Sequence, residues 1–173
     1  MVVGVAGVAA IAGLQDRAVS APMPDRRSVV VRATPIERFS LRNPELSRFG
    51  ALEFLGGLEL SCPDERFGGW SALAISSDGL RLTSVSDKGT WLAATLATRG
   101  ETPVGVVEAM LAPVLGPDGR SVSGTGRWDC ESLAIHEGSA FVGLERVNEV
   151  LRFAIAKDGL AARGMPVPVP PDV

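Results

Sequence analysis

Residues 71–96 read Ser71-Ala72-Leu73-Ala74-Ile75-Ser76-Ser77-Asp78-Gly79-Leu80-Arg81-Leu82-Thr83-Ser84-Val85-Ser86-Asp87-Lys88-Gly89-Thr90-Trp91-Leu92-Ala93-Ala94-Thr95-Leu96. Three short runs, 71–76, 81–86 and 91–96, are separated by Ser77-Asp78-Gly79 and Asp87-Lys88-Gly89. Each separator offers a glycine where a tight connection between antiparallel strands wants a positive φ, together with an aspartate that favours turns. The pattern predicts a three-stranded antiparallel meander.

A second copy follows about sixty residues later. Glu131-Ser132-Leu133-Ala134-Ile135 falls on Ser71-Ala72-Leu73-Ala74-Ile75, and His136-Glu137-Gly138 takes the place of the first turn. Residues 140–145 then match 81–86, and Val150-Leu151-Arg152-Phe153 matches Trp91 onward. The offset slips from 60 to 59 across the turn, as one deletion in a hairpin would produce. An imperfect repeat of three to four strands is the signature of a propeller blade. The expected fold class is therefore all-β: a partial, β-propeller-like domain of about two blades behind an N-terminal signal-like segment. Closed propellers take about four to eight blades, so open strand edges and a tendency to associate are expected.

Working outward, residues 55–60 read as a further strand, and Ser28-Val29-Val30-Val31-Arg32-Ala33 as a first one. Residues 107–112 suit a short helix or an outer strand equally. The Gly- and Pro-rich stretch 113–128 lengthens the repeat beyond familiar propeller periods, and long connections of this kind often carry function. The tail from Pro166 reads as an extended connector. The chain divides into 1–21, a signal peptide; 22–53, an N-terminal segment; and 54–173, the propeller-like domain.

The signal peptide rests on the apolar run 2–14 followed by the small residues Ala18-Val19-Ser20-Ala21. As a helix the run reaches about 20 Å, short of the roughly 30 Å hydrocarbon core, so no transmembrane span is expected. The run lacks an opening Lys or Arg, which leaves an ordinary apolar leader or a different start codon as alternatives. Export predicts a periplasmic or secreted protein. There Cys62 and Cys130, the two cysteines, can pair, although two separate buried thiols fit equally. A net charge of −3 with no concentrated basic run argues against nucleic acid as a partner.

In a propeller the innermost strands line the channel, and the residues at their ends build the ligand site. That puts Ser71 and Glu131 in equivalent places, and Ser86-Asp87 opposite Glu145-Arg146. Asp87, Asp129, Glu131 and Glu145 are thus candidates for one shared rim. Clustered carboxylates serve either as oxygen ligands of Ca2+ or as an acid/base pair, and Arg146 would add a fork for phosphate or carboxylate. The plain alternatives are a turn-forming Asp87, a Glu145–Arg146 ion pair closing a strand, and Asp129 and Glu131 as caps of loop amides. His136, the one histidine, reads as surface; no Gly-x-Ser-x-Gly elbow supports Ser71 as a nucleophile, and two cysteines with one histidine make no zinc site. Gly124-Thr125-Gly126 is loop chemistry, and Trp70, Trp91 and Trp128 read as blade packing rather than a stacking platform.

The spaced motifs Phe67-Gly68-Gly69-Trp70-Ser71-Ala72-Leu73-Ala74, Ser84-Val85-Ser86-Asp87-Lys88-Gly89-Thr90-Trp91, Asp129-Cys130-Glu131-Ser132-Leu133-Ala134 and Gly143-Leu144-Glu145-Arg146 resemble the bacterial "esterase-like activity of phytase", or phytase-like, family. The resemblance runs from about Leu55 to the end. It implies a propeller-like domain, export, and esterase or phosphoesterase activity attributed to acidic residues, here Asp87, Glu131 and Glu145 with Arg146 beside them. It also implies that the chain stops near the middle of the usual domain and departs from the family at Cys130. The leading expectation is a Ca2+-assisted hydrolase of a small-molecule phosphate or carboxylate ester. Asp87, Glu131 and Glu145 would be catalytic, Arg146 would bind substrate, and Asp87, Asp129, Glu131 and Glu145 would hold the metal. The alternatives are a non-catalytic periplasmic propeller that binds a ligand or protein, or an inactive fragment.

Overall fold

Gly79 and Gly89 take φ angles of 74° and 75°, and each donates its N–H three residues back, to Ser76 and Ser86 at 2.8 and 2.9 Å. Both separators are therefore the tight turns their glycines suggest. The third turn is tighter still: Glu137 and Gly138 both have positive φ, 45° and 74°, which is the two-residue turn whose twist matches paired strands.

The computed structural model describes residues 25–126 and 128–168. The expected signal peptide at 1–21 and the last five residues lie outside the described residues. The strands are β1 (Arg27–Ser28), β2 (Arg32–Ile36), β3 (Arg48–Phe49), β4 (Leu52–Glu53), β5 (Gly57–Ser61), β6 (Trp70–Ile75), β7 (Arg81–Ser86), β8 (Thr90–Arg99), β9 (Thr102–Pro113), β10 (Cys130–His136), β11 (Ser139–Leu144), β12 (Glu149–Phe153) and β13 (Met165–Pro166), with one short helix, α1 (Ile155–Asp158). They form a five-stranded sheet, β1-β9-β8-β7-β6, a four-stranded sheet, β10-β11-β12-β13, and two small hairpin-like pairs, β2-β5 and β3-β4. The strand pairings are antiparallel, and none of the sheets closes on itself. No helix among the described residues is long and apolar enough to cross a membrane.

Val85, Trp91 and Ala112 are register partners across β7, β8 and β9, and all three are buried. They meet Ala140, Val142, Leu144, Leu151 and Phe153 of the second sheet in one cluster, so the two meanders stack face to face. Trp91 meets Phe153 edge to face, with centroids 5.3 Å apart, a geometry that contributes about 0.5–1.5 kcal/mol beyond the buried area. The opposite face of the first sheet, with Leu92, Ala94, Ala109, Leu111 and Trp70 of β6, packs against Val29, Val31 and Phe67. The long 113–128 connection is part of this core, since Val114, Leu115 and Val122 are buried and Val114 N–H bonds the carbonyl of Gly89.

One open choice is settled and two expectations change. Residues 107–112 lie in β9, a strand. The expected first strand splits into β1 and β2 because Val29 N–H bonds Ala109 while β2 leaves to pair with β5. The repeat slips by two residues rather than one. Trp70 pairs with Ser86 and Cys130 with Leu144, so Asp87 corresponds to Glu145, not to Arg146. The two-residue Glu137-Gly138 turn accounts for the shorter hairpin. Cys62 and Cys130 are both free thiols.

Candidate functional site

The two inner strands begin alike. In β6 the register jumps between Trp70 and Ala72, and in β10 between Cys130 and Ser132, so Ser71 and Glu131 are the extra residues of matching β-bulges. A bulge leaves its residue outside the ladder and re-aims its side chain, and here it turns Glu131 out to solvent.

Just beyond these bulges the chain ends knit together. Asp87 N–H bonds the Gly69 carbonyl at 2.8 Å, Asp129 N–H bonds the Asp87 carbonyl at 2.9 Å, and Glu145 N–H bonds the Asp129 carbonyl at 3.0 Å. These three rungs extend the β6–β7 and β10–β11 pairings and carry hydrogen bonding across from one sheet to the other. They bring the main chains of Asp87, Asp129 and Glu145 to one rim, with Glu131 two residues from Asp129. Asp129 adopts φ of 78°, a region Asp tolerates better than most residues, and this kink lets its amide face Asp87 while its carbonyl faces Glu145.

Asp87 is set apart by its surroundings. Its carboxylate lies where a side chain at Gly69 would be, and its Oδ1 is buried with no hydrogen-bond donor among the described residues. A buried acceptor left unsatisfied costs about 1–3 kcal/mol, so such an oxygen asks for a cation or a proton donor. Trp70 Nε1, buried and packed 5.2 Å from Phe67 by ring centroids, is the other buried unpartnered polar atom among the described residues.

Among the described residues no loop amide donates to the Asp129 side chain; its Oδ2 accepts from Arg146 Nε at 3.2 Å. The Arg146 guanidinium lies 4.1 Å over the Trp128 ring, so a stacked ring and a carboxylate fix it from two sides and leave its terminal nitrogens open. Cys130 is fully buried beneath this rim. Burial, reinforced by the negative charges of Asp129, Glu131 and Asp87, pushes its thiol up to about 12. Each of the three carboxylates thus adds to the cost of ionising Cys130. No group of three or more His, Cys, Asp or Glu among the described residues is close enough to hold a metal ion.

A comparison with protein families bears directly on these strands. The family model described as "Phytase-like: Esterase-like activity of phytase" matches residues 65–173, more than half of the chain. The chain belongs to the phytase-like family. No curated protein and no solved structure matched it. The matched span takes in β6 to β13, so all three rungs of the phytase-like rim lie inside it.

Of the expected residues, the phytase-like chain brings Asp87, Asp129, Glu131 and Arg146 around Cys130 and Trp128, and it joins Glu145 through its backbone with its side chain exposed. Glu145 and Arg146 do not pair with each other; Arg146 turns to Asp129. His136 is exposed beside Glu137, as a surface histidine would be. Two participants escaped sequence reasoning. Gly69 makes room for Asp87, and the double glycine before an inner strand was its signal. Trp128 is a platform, though for an arginine of the chain itself rather than for a ligand, and nothing in its spacing pointed to that.

Proposed function

We infer that the acidic rim is the active site of a hydrolase acting on phosphate or carboxylate esters. The observation that carries this reading is the buried Oδ1 of Asp87 at the junction of the two sheets, which has no donor among the described residues. Membership of a family described as esterase-like supports it. In this reading the two meanders are neighbouring blades of a propeller, and the rim lies at the mouth of its channel.

The chemistry is hydrolysis of an ester bond. Water adds to the phosphorus or acyl carbon, its proton passes to a rim carboxylate, and the alcohol departs carrying a proton returned by the site. Asp87 is the base, and Glu131 and Glu145 share the handling of water and proton. Arg146, already oriented by Asp129 and Trp128, grips the anionic end of the substrate with its free nitrogens. Asp87, Asp129, Glu131 and Glu145 offer the oxygen donors that Ca2+ takes, and were they drawn together around one ion it would supply Lewis-acid stabilisation of the developing charge. Export to the periplasm or beyond, from the 1–21 segment, completes the reading, and an N-terminus starting at residue 22 in the mature protein would establish it.

The test is turnover of p-nitrophenyl phosphate and p-nitrophenyl acetate, with calcium or with chelator. Asp87→Asn should lower kcat by about 100-fold or more, and Glu131→Gln should lower it as well. Turnover that Asp87→Asn leaves unchanged would remove the rim from the mechanism. The exposure of Glu131, Glu145 and Arg146 favours a second reading, a non-catalytic rim that binds a ligand or protein. Saturable ligand binding without turnover would select it.

A further inference from the structure

We propose that the phytase-like chain carries a second site, for a small organic anion, at the end of the second sheet away from the acidic rim. After β12 the chain leaves the sheet, turns through α1 and a 3-10 segment, and returns as β13 beside β12. Between this excursion and the sheet lies a cavity of about 550 Å3 lined by Arg152, Ala154, Asp158, Ala161, Arg163 and Met165. That volume suits a small-molecule ligand.

Two arginines line it, neither with a carboxylate partner among the described residues. Arg152 sits between Leu151 and Phe153, both fully buried, so strand alternation sends it to the outer face. Its Nε donates to the Oγ of Ser139 at 3.1 Å, and Ser139 is itself buried. Ser139 thus orients the guanidinium while its terminal nitrogens stay available. Arg163 is positioned by its parallel bridge to Leu115 and lies against Gly119, where a Cβ would come within 3.0 Å of its Cζ. Among the described residues neither arginine has an acidic group within ion-pair distance, although Asp158 lines the same cavity. Arg27, Arg48, Arg66, Arg81, Arg120 and Arg146 each have one, and of those without one, Arg152 and Arg163 line a cavity together.

Forked guanidinium groups match the planar or tetrahedral oxygens of carboxylate and phosphate. The other walls, Ala154, Ala161 and Met165, are apolar and would receive the body to which that anion is attached. The ligand class is therefore a phosphate or carboxylate on a compact apolar body. The site is distinct from the rim: Leu144 pairs with Glu149 at the rim end, and Ala140 pairs with Phe153 at the cavity end, four residues or roughly 13 Å along the strand.

Calorimetric titration of the whole chain at low salt tests this, with phenyl phosphate, benzoate and inorganic phosphate as probes. Phenyl phosphate or benzoate should bind saturably with a Kd of about 1 mM or tighter, and inorganic phosphate more weakly. Arg163→Gln should weaken binding at least about tenfold, Arg163→Lys by less, and Arg146→Gln, which removes the anion grip proposed for the rim, not at all. Circular dichroism checks that the variants fold; should Arg163→Gln fail that check, Arg163→Lys carries the comparison. Heats that never saturate, or binding untouched by both Arg163 variants, overturn the proposal. So does binding that is lost with Arg146→Gln, which would place the anion at the rim.

Discussion

A side chain at Gly69 and the carboxylate of Asp87 exclude one another: a Cβ on Gly69 would stand 2.9 Å from Asp87 Cγ. Gly69 also takes φ of 65°, which costs other L-residues about 1–2 kcal/mol. Gly69→Ala should therefore destabilise through two separable terms, backbone strain and the displacement of Asp87. Urea unfolding of Gly69→Ala, Asp87→Ala and the double variant separates them. The penalty of Gly69→Ala should shrink to the backbone part, about 1–2 kcal/mol, once Asp87 is truncated. Strict additivity would show that the two residues do not share the space.

The two thiols should differ in reactivity. Cys130 is fully buried and its thiol is pushed up to about 12, so at pH 8 the thiolate fraction is on the order of 10⁻⁴. Cys62 is only partly buried and lines an open cavity with Val29 and Arg32. Native protein treated with iodoacetamide should take one label, at Cys62, and Cys130 should react only after denaturation. Mass spectrometry of the alkylated peptides reads this directly; rapid native labelling of Cys130 would contradict its burial.

Acid should loosen the N-terminal segment. Asp64 accepts hydrogen bonds from the Arg66 guanidinium at 3.0 and 2.9 Å and from the Arg66 amide at 3.0 Å, and Arg27 lies 3.7 Å away. These bonds, the Arg66 side chain first, hold the Asp64 carboxyl at about 2, below its ordinary 3.8. A depressed carboxyl stabilises the fold above its unfolded value and loses that contribution as pH falls. The tie is complete above about pH 4–5 and fades toward pH 2. The protection factor of the Val29 amide, bonded to Ala109, should fall across this window in the wild type. In Asp64→Asn it should already be low at pH 6 and change little.

Glu137 occupies a turn position better suited to asparagine. With φ of 45° at Glu137 and 74° at Gly138, the turn favours an Asn-Gly pair. Glu137→Asn should raise the melting temperature, a gain of up to about 1 kcal/mol. Gly138→Ala should lower it, because the new Cβ would stand 2.6 Å from the Cβ of Ala156 as well as strain the backbone.

Much of this architecture was legible because turns announce themselves. The glycines at 79, 89 and 138 and the alternation between them gave the hairpins and the repeat. The size of the slip was misread for a physical reason. Ser84 and Ser86 occupy the buried positions that Val142 and Leu144 fill in the second copy, so matching by apolarity set Val85 against Leu144 and moved Asp87 one place along. The hydroxyl of Ser84 is at home there because it donates to the Ala72 carbonyl at 2.7 Å. The rim carboxylates were legible as residues, but their meeting was not. It depends on main-chain bonds from Gly69 to Asp87 to Asp129 to Glu145, and backbone bonds between distant segments leave no mark in the order of side chains. The Arg146–Asp129 pairing was hidden in the same way, since a neighbour in sequence, Glu145, offered the more obvious partner.

Those backbone rungs also bear on how freely the rim can change. Because the stitches that fasten one meander to the other are made by amides and carbonyls, they are indifferent to which side chains hang from Asp87, Asp129 and Glu145, apart from the φ that Asp129 must hold. The frame can keep its shape while its chemistry is rewritten, so the same seam can serve as the base for reactivities quite unlike one another.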